Sequence, residues 1–109
     1  MQFNEYQQKA NETAIYPNRG SNLIYPTLGL CGETGEVAEK VKKLMRDGNG
    51  IPDPAFKEMI TKELGDVLWY LAQMCTELGI TLEEMAQMNI SKLASRKERG
   101  QLHGSGDNR

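Results

Sequence analysis

One five-residue pattern occurs twice in the chain, as Glu33-Thr34-Gly35-Glu36-Val37 and as Glu63-Leu64-Gly65-Asp66-Val67. Both copies read Glu-x-Gly-acid-Val, and both fall in stretches whose apolar residues recur at helical spacing. At about 100° per residue, Phe56, Ile60, Leu64, Val67, Leu71, Cys75 and Leu78 form one apolar arc. Glu63 falls inside that arc, and Asp66 lies just beyond its edge. In the earlier stretch Leu30, Val37, Val41 and Leu44 form the apolar face, with Glu33 inside its flank and Glu36 at the rim.

A buried carboxylate is expensive unless it is paired or bound to a metal, and four close together raise one another's pKa values. A divalent cation resolves both problems. If the two helices pack antiparallel, residues at i and i+3 on each present a four-carboxylate cage of hard oxygen ligands, which suits Mg²⁺, with Mn²⁺ as the alternative. A cation so held, with open positions, can bind phosphate oxygens and activate water. A lone Glu-x-x-Glu is usually a solvated helix face, and Glu39 reads that way, with Lys42 and Lys43 as surface neighbours.

Turn signals divide the rest. A first helix is expected from Phe3 to Ile15, before Pro17 and the loop Asn18-Arg19-Gly20-Ser21-Asn22. The second begins around Pro26 and runs to about Asp47, before Gly48-Asn49-Gly50. Asp53 and Pro54 read as the N-cap and first position of a third helix, which Gly79 stops. Thr81 and Glu84 have the form of a capping box opening a fourth, which runs to about Arg99. No stretch alternates long enough for a strand. The fold class is therefore all-α, with one helical domain over residues 1–100 and a flexible polar tail over 101–109.

The 109 residues allow one domain. Thirteen Lys plus Arg against fifteen Asp plus Glu leave no basic stripe, which argues against a nucleic-acid partner. The first residues, MQFNEYQQKA, lack the layout of a signal peptide, and no apolar run approaches a membrane span. The expectation is a cytoplasmic protein with no membrane partner. Cys31, Cys75 and His103 are too few soft ligands for zinc, which again leaves oxygen as the ligand.

Glu33-x-x-Glu36 followed after 26 residues by Glu63-x-x-Asp66 resembles the mark of the MazG-like nucleoside triphosphate pyrophosphohydrolases, an all-α superfamily. The flanks Gly32-Glu33 and Gly65-Asp66-Val67-Leu68-Trp69-Tyr70 are similar to that family too, and the match extends from about Leu28 to Arg99. The resemblance implies a four-helix bundle completed by homo-oligomerisation, as a homodimer or homotetramer. It implies Mg²⁺-dependent cleavage of a nucleoside triphosphate substrate between its α and β phosphates, giving a monophosphate and pyrophosphate. Carried over by position, Glu33, Glu36, Glu63 and Asp66 would bind metal, and Glu36 or Glu33 would activate the water.

Asn89, Lys92 and Arg96 share one face of the fourth helix, and the basic pair is similar to phosphate-contacting positions of the family. The plain alternative is a solvated basic helix end. Tyr70, on the face of Asp66, is read as lining the substrate pocket or packing in the core; Trp69, opposite, as packing on another helix or subunit. Lys40 is expected to pair with Glu36, and Gly32, Gly35 and Gly65 to permit close approach of a neighbour behind the site. In an assembly, Asp107 or Arg109 of the tail could reach a neighbouring site. Alternatives are a dUTP-, dCTP- or alarmone-directed pyrophosphatase, and a non-catalytic adaptor whose acids bind metal for structure only.

Overall fold

The computed structural model describes residues 1–109 as four helices without a strand: α1 Phe3–Glu12, α2 Ile24–Gly48, α3 Pro54–Glu77 and α4 Leu82–Glu98. The caps explain most boundaries. Asp53 Oδ1 accepts the Phe56 N–H at 2.8 Å, which fixes the start of α3. Its end is a two-bond glycine cap, with Gly79 at φ +70°, its N–H donating to Thr76 and the Ile80 N–H donating to Cys75. At α4, Thr81 Oγ1 accepts the Glu84 N–H and Glu84 Oε2 accepts the Thr81 N–H, each at 3.0 Å, a complete capping box.

Two boundaries differ from the sequence expectation. α1 stops at Glu12 rather than Ile15, because the Thr13 N–H and hydroxyl both donate to the Ala10 carbonyl and the chain then turns to bury Ala14 and Tyr16. α2 starts at Ile24, two residues before Pro26, because Asn22 Oδ1 accepts the Tyr25 N–H at 3.0 Å. Pro26 therefore lies in the first turn, where no N–H partner is required.

The α2–α3 interface is the largest in the chain. Gly29 faces Tyr70, and Lys40 faces Glu63, so positions rise along α2 as they fall along α3 and the two helices run antiparallel. The close approach is at Gly29: a Cβ there would lie 2.1 Å from the Tyr70 ring. Gly32, Gly35 and Gly65 have nothing within 4 Å of that position, so no neighbour of the same chain packs behind the acids.

The core sits elsewhere, where α1 and the start of α4 meet the end of α3. Ala10, Ala72, Cys75 and Leu82 are buried there, with Tyr6, Trp69, Leu71 and Met85 packed against them. Trp69 packs within the chain, and its Nε1 donates to Thr13 Oγ1 at 2.8 Å. Gln7 ties all three elements: its amide donates to Thr76 Oγ1 and the Ile80 carbonyl and accepts from the Leu82 N–H.

The apolar arc of α3 is only partly covered, since Leu64 is 52% and Leu78 55% exposed. Only nine of 109 residues are buried, and the radius of gyration is 16.8 Å. A compact chain of this length has about 13 Å. α4 contacts α1 and α3 but not α2. No helix is long and apolar enough to cross a membrane.

Candidate active site

The antiparallel register of α2 and α3 brings three carboxylates together. One carboxylate oxygen from each of Glu33, Glu36 and Glu63 lies within 4.8 Å of the others. Glu33 and Glu36 are one helical turn apart on α2, and Glu63 faces them from α3. Glu33 and Glu63 are half-buried, while Glu36 is exposed.

Glu33 is the least satisfied of the three. Its Oε2 is buried and has no hydrogen-bond partner. Burial pushes its carboxyl above the usual range, and the charges of Glu36, Asp66 and Glu63 push it further the same way. Glu63 has a partner, Lys40, whose Nζ stands 3.1 Å from Oε1. Lys40 was expected to pair with Glu36 on its own helix; the antiparallel packing sets it across from Glu63 instead. One ammonium against three carboxylates leaves the group strongly negative.

Asp66 stands outside this tight trio. It is exposed, one turn along α3 from Glu63, and its charge acts on Glu33 and also on the phenols of Tyr6 and Tyr70. The sequence pattern treats the four acids as one set, whereas the packing gathers three and leaves the fourth outside. Tyr70 is half-buried against Gly29, with its ring edge-on to Trp69 at 5.0 Å and tilted against Tyr25 at 6.4 Å. Burial, first, and Tyr25, second, raise its phenol above the ordinary value. It is thus a wall of the α2–α3 interface next to the acids.

The cations of α4 are not at the acids. Because α4 has no contact with α2, Asn89, Lys92 and Arg96 do not meet Glu33 or Glu36 within the same chain. Asn89 and Lys92, with Ile80, Met85 and Met88, line a shallow hollow of about 360 Å³. Lys92 Nζ and Arg96 Nη2 both reach Asp107 Oδ1, at 3.1 and 3.3 Å. The tail is thus placed by α4.

The residues fit a divalent cation. All three donors are carboxylate oxygens, the set preferred by hard cations, and a buried oxygen lacks any partner. Oxygens on opposite sides of an octahedral Mg²⁺ are about 4.2 Å apart, so small side-chain adjustments suffice.

Sequence reasoning missed Glu77, the last residue of α3. Its Oε1 accepts from the Tyr16 hydroxyl at 2.5 Å and the Gly20 N–H at 2.9 Å, and its Oε2 from the Asn22 N–H at 3.1 Å. The Tyr16 bond, above all, holds the Glu77 carboxyl below its usual range, and burial together with Glu77 pushes the Tyr16 phenol up to about 12. This clamp fixes the loop that feeds α2. Its donors lie more than 50 residues away in sequence, so no local pattern announces it.

The model of the MazG nucleotide pyrophosphohydrolase domain matches residues 25–100. The chain is also 46% identical to the Gene 37 protein of Mycobacterium phage L5, over the whole of both chains. No solved structure matches it.

Proposed function

The chain belongs to the MazG nucleotide pyrophosphohydrolase family, and on that premise we propose that it is a Mg²⁺-dependent enzyme cleaving (d)NTP between the α and β phosphates. The observation that carries this reading is the convergence of Glu33, Glu36 and Glu63, with the Glu33 Oε2 buried and unpartnered. Glu33, Glu36 and Glu63 would hold the cation, with Asp66 joining from the next turn of α3. Such a cation, once bound, would supply charge neutralisation for the phosphates and activation of the attacking water.

In the reaction, a water oxygen attacks the α phosphorus, the bond to the α–β bridging oxygen breaks, and pyrophosphate leaves. Glu36 would orient that water and take its proton, a reading supported by its being the exposed member of the trio. Glu33, one turn away on the same helix, is the other carboxylate that could do this work. Such a reaction asks mainly for positioning and charge neutralisation, so Lys92 and Arg96 complete the site as phosphate ligands and Asn89 as a sugar or phosphate contact. Tyr70 lines the pocket. Because α4 does not contact α2, Asn89, Lys92 and Arg96 would meet the acids of a second copy of the chain, in a homodimer or homotetramer. The sparse burial and open apolar arc support that assembly.

A panel of canonical and modified (d)NTPs with Mg²⁺, scored for pyrophosphate against orthophosphate release, tests the reading. Pyrophosphate release with the matching monophosphate is the expected result. Orthophosphate alone contradicts α–β cleavage, and no turnover on any nucleotide favours the metal-binding adaptor.

A further inference from the structure

The tail over residues 101–109 contains no helix, yet it is closed on itself by side-chain bonds. Arg109 donates to the carbonyls of Gln101, Leu102 and Gly106, and Arg99 of α4's C-terminal flank donates to the Arg109 carbonyl at 2.8 Å. Gly104 and Gly106 take positive φ, +140° and +84°, which lets the segment curl. The curl delivers one carboxylate, Asp107, to the two α4 cations. Asp107 Oδ1 bridges Lys92 and Arg96, and the carbonyls of Gly106 and Asp107 also accept from Arg96 Nη2, at 3.4 and 3.0 Å.

Two features make this arrangement read as a substitute ligand rather than a permanent ion pair. Arg96 is only 5% exposed, and its Nε is buried without any partner, so the guanidinium offers a donor that Asp107 does not use. A phosphate oxygen pair is the acceptor shape a guanidinium fork binds best. Asp107, by contrast, is 82% exposed at its side chain and holds by one oxygen. A carboxylate held from the water side is screened by salt and gains little from the pairing, so it yields to a better anion.

We propose that Asp107 is an internal competitor for the phosphate site on Lys92 and Arg96, so that the tail leaves the α4 cations when a polyphosphate arrives. The proposal rests on the reading of Lys92 and Arg96 as phosphate ligands. In the resting chain the curled tail keeps a buried guanidinium partly satisfied. On binding, the polyphosphate takes both cations and the free Arg96 Nε–H, and Asp107 returns to water.

The test is a titration of full-length, ¹⁵N-labelled protein with inorganic triphosphate in metal-free buffer, so that the acidic site and turnover play no part. The probes are the Gly104 and Gly106 amides and the Arg96 Nε–H. Asp107→Asn removes the competing charge at constant size. The expected result is about two- to fivefold tighter triphosphate binding by that variant, the range an exposed ion pair supplies, with the advantage fading at high salt. In the wild type, triphosphate should shift the Gly104 and Gly106 amides as the tail departs.

Equal affinity in wild type and Asp107→Asn overturns the competition, as does weaker binding by the variant, which would make Asp107 part of the binding site. Lys92→Gln separates the two readings. If Lys92→Gln weakens binding while Asp107→Asn changes nothing, the phosphate site stands and the competition alone fails. If Lys92→Gln also leaves binding unchanged, both fall.

Discussion

Glu33 and Glu77 are both half-buried glutamates of the long helix pair, and their carboxylates are treated in opposite ways. Glu77 accepts three hydrogen bonds, and its carboxyl is held below its usual range. Glu33 has an orphaned oxygen and sits among other acids, and its carboxyl is pushed up. A carboxylate that serves the fold is given donors; one kept without donors beside like charges destabilises the chain until something positive arrives. The difference separates a clamp from a proposed ligand more clearly than exposure does.

The largest effect belongs to the acidic trio. Glu36→Gln and Glu63→Gln should lower turnover on the order of 10²- to 10³-fold, the scale of removing one charge-stabilising group from an active site, with the fold intact by circular dichroism. Asp66→Asn should abolish most turnover as well, but its loss ought to be the smaller, because Asp66 stands outside the trio. A larger loss at Asp66 than at Glu63 would mean that the site closes around Asp66 in the working enzyme.

Next comes the clamp. Glu77→Gln should lower stability by about 1–3 kcal/mol in denaturant titration, since the charge assistance to the Tyr16, Gly20 and Asn22 bonds is lost, while activity per folded molecule is kept. Glu33→Gln should do the reverse in metal-free buffer and raise stability by about 1 kcal/mol, and Mg²⁺ should stabilise the wild type but not this variant. Destabilisation by Glu33→Gln in metal-free buffer would break the comparison at its root.

The two glutamates also carry opposite pH signatures. With a lowered folded pKa, the Glu77 contribution is present above the unfolded value of about 4.5 and is lost as pH falls through the depressed value. With a raised folded pKa, Glu33 favours the metal-free fold below about pH 4.5, and that contribution is lost as pH rises through the elevated value. Thermal melts in chelator should show the acid-side loss disappear in Glu77→Gln and the neutral-side loss disappear in Glu33→Gln.

The smallest effect concerns the open glycines. Gly65→Ala should stabilise the isolated chain by about 0.5–1 kcal/mol, because no atom of the same chain lies within 4 Å of the added Cβ. Weakened self-association in that variant, read by sedimentation, would show a second copy packed behind the site. Gly29→Ala is the contrasting control and should destabilise, with Tyr70 in the way.

Helix count, the Asp53 cap, the Gly79 stop and the Thr81–Glu84 box were legible because each is written within a few residues of sequence. The acid pattern was legible because helical phase places residues three apart on one side. What the sequence could not show was the pairing across helices: that Lys40 meets Glu63, that Gly29 rather than Gly35 takes the close contact, and that Glu77 reaches back to Tyr16. Those depend on the axial register of α2 against α3 and on the path of the loop before α2, which local spacing does not encode. The tail reads as polar and free by composition, and its placement on Lys92 and Arg96 depends on three arginines whose partners are backbone carbonyls.

The central claim is that Glu33, Glu36 and Glu63 form a divalent-cation site. Mn²⁺ binding followed by electron paramagnetic resonance tests it directly, with wild-type and Glu33→Gln protein compared in the same titration. Saturable binding by the wild type that Mg²⁺ displaces, and that weakens at least about tenfold in Glu33→Gln, is the result this account predicts. Absent binding in the wild type, or equal binding in the variant, would contradict it.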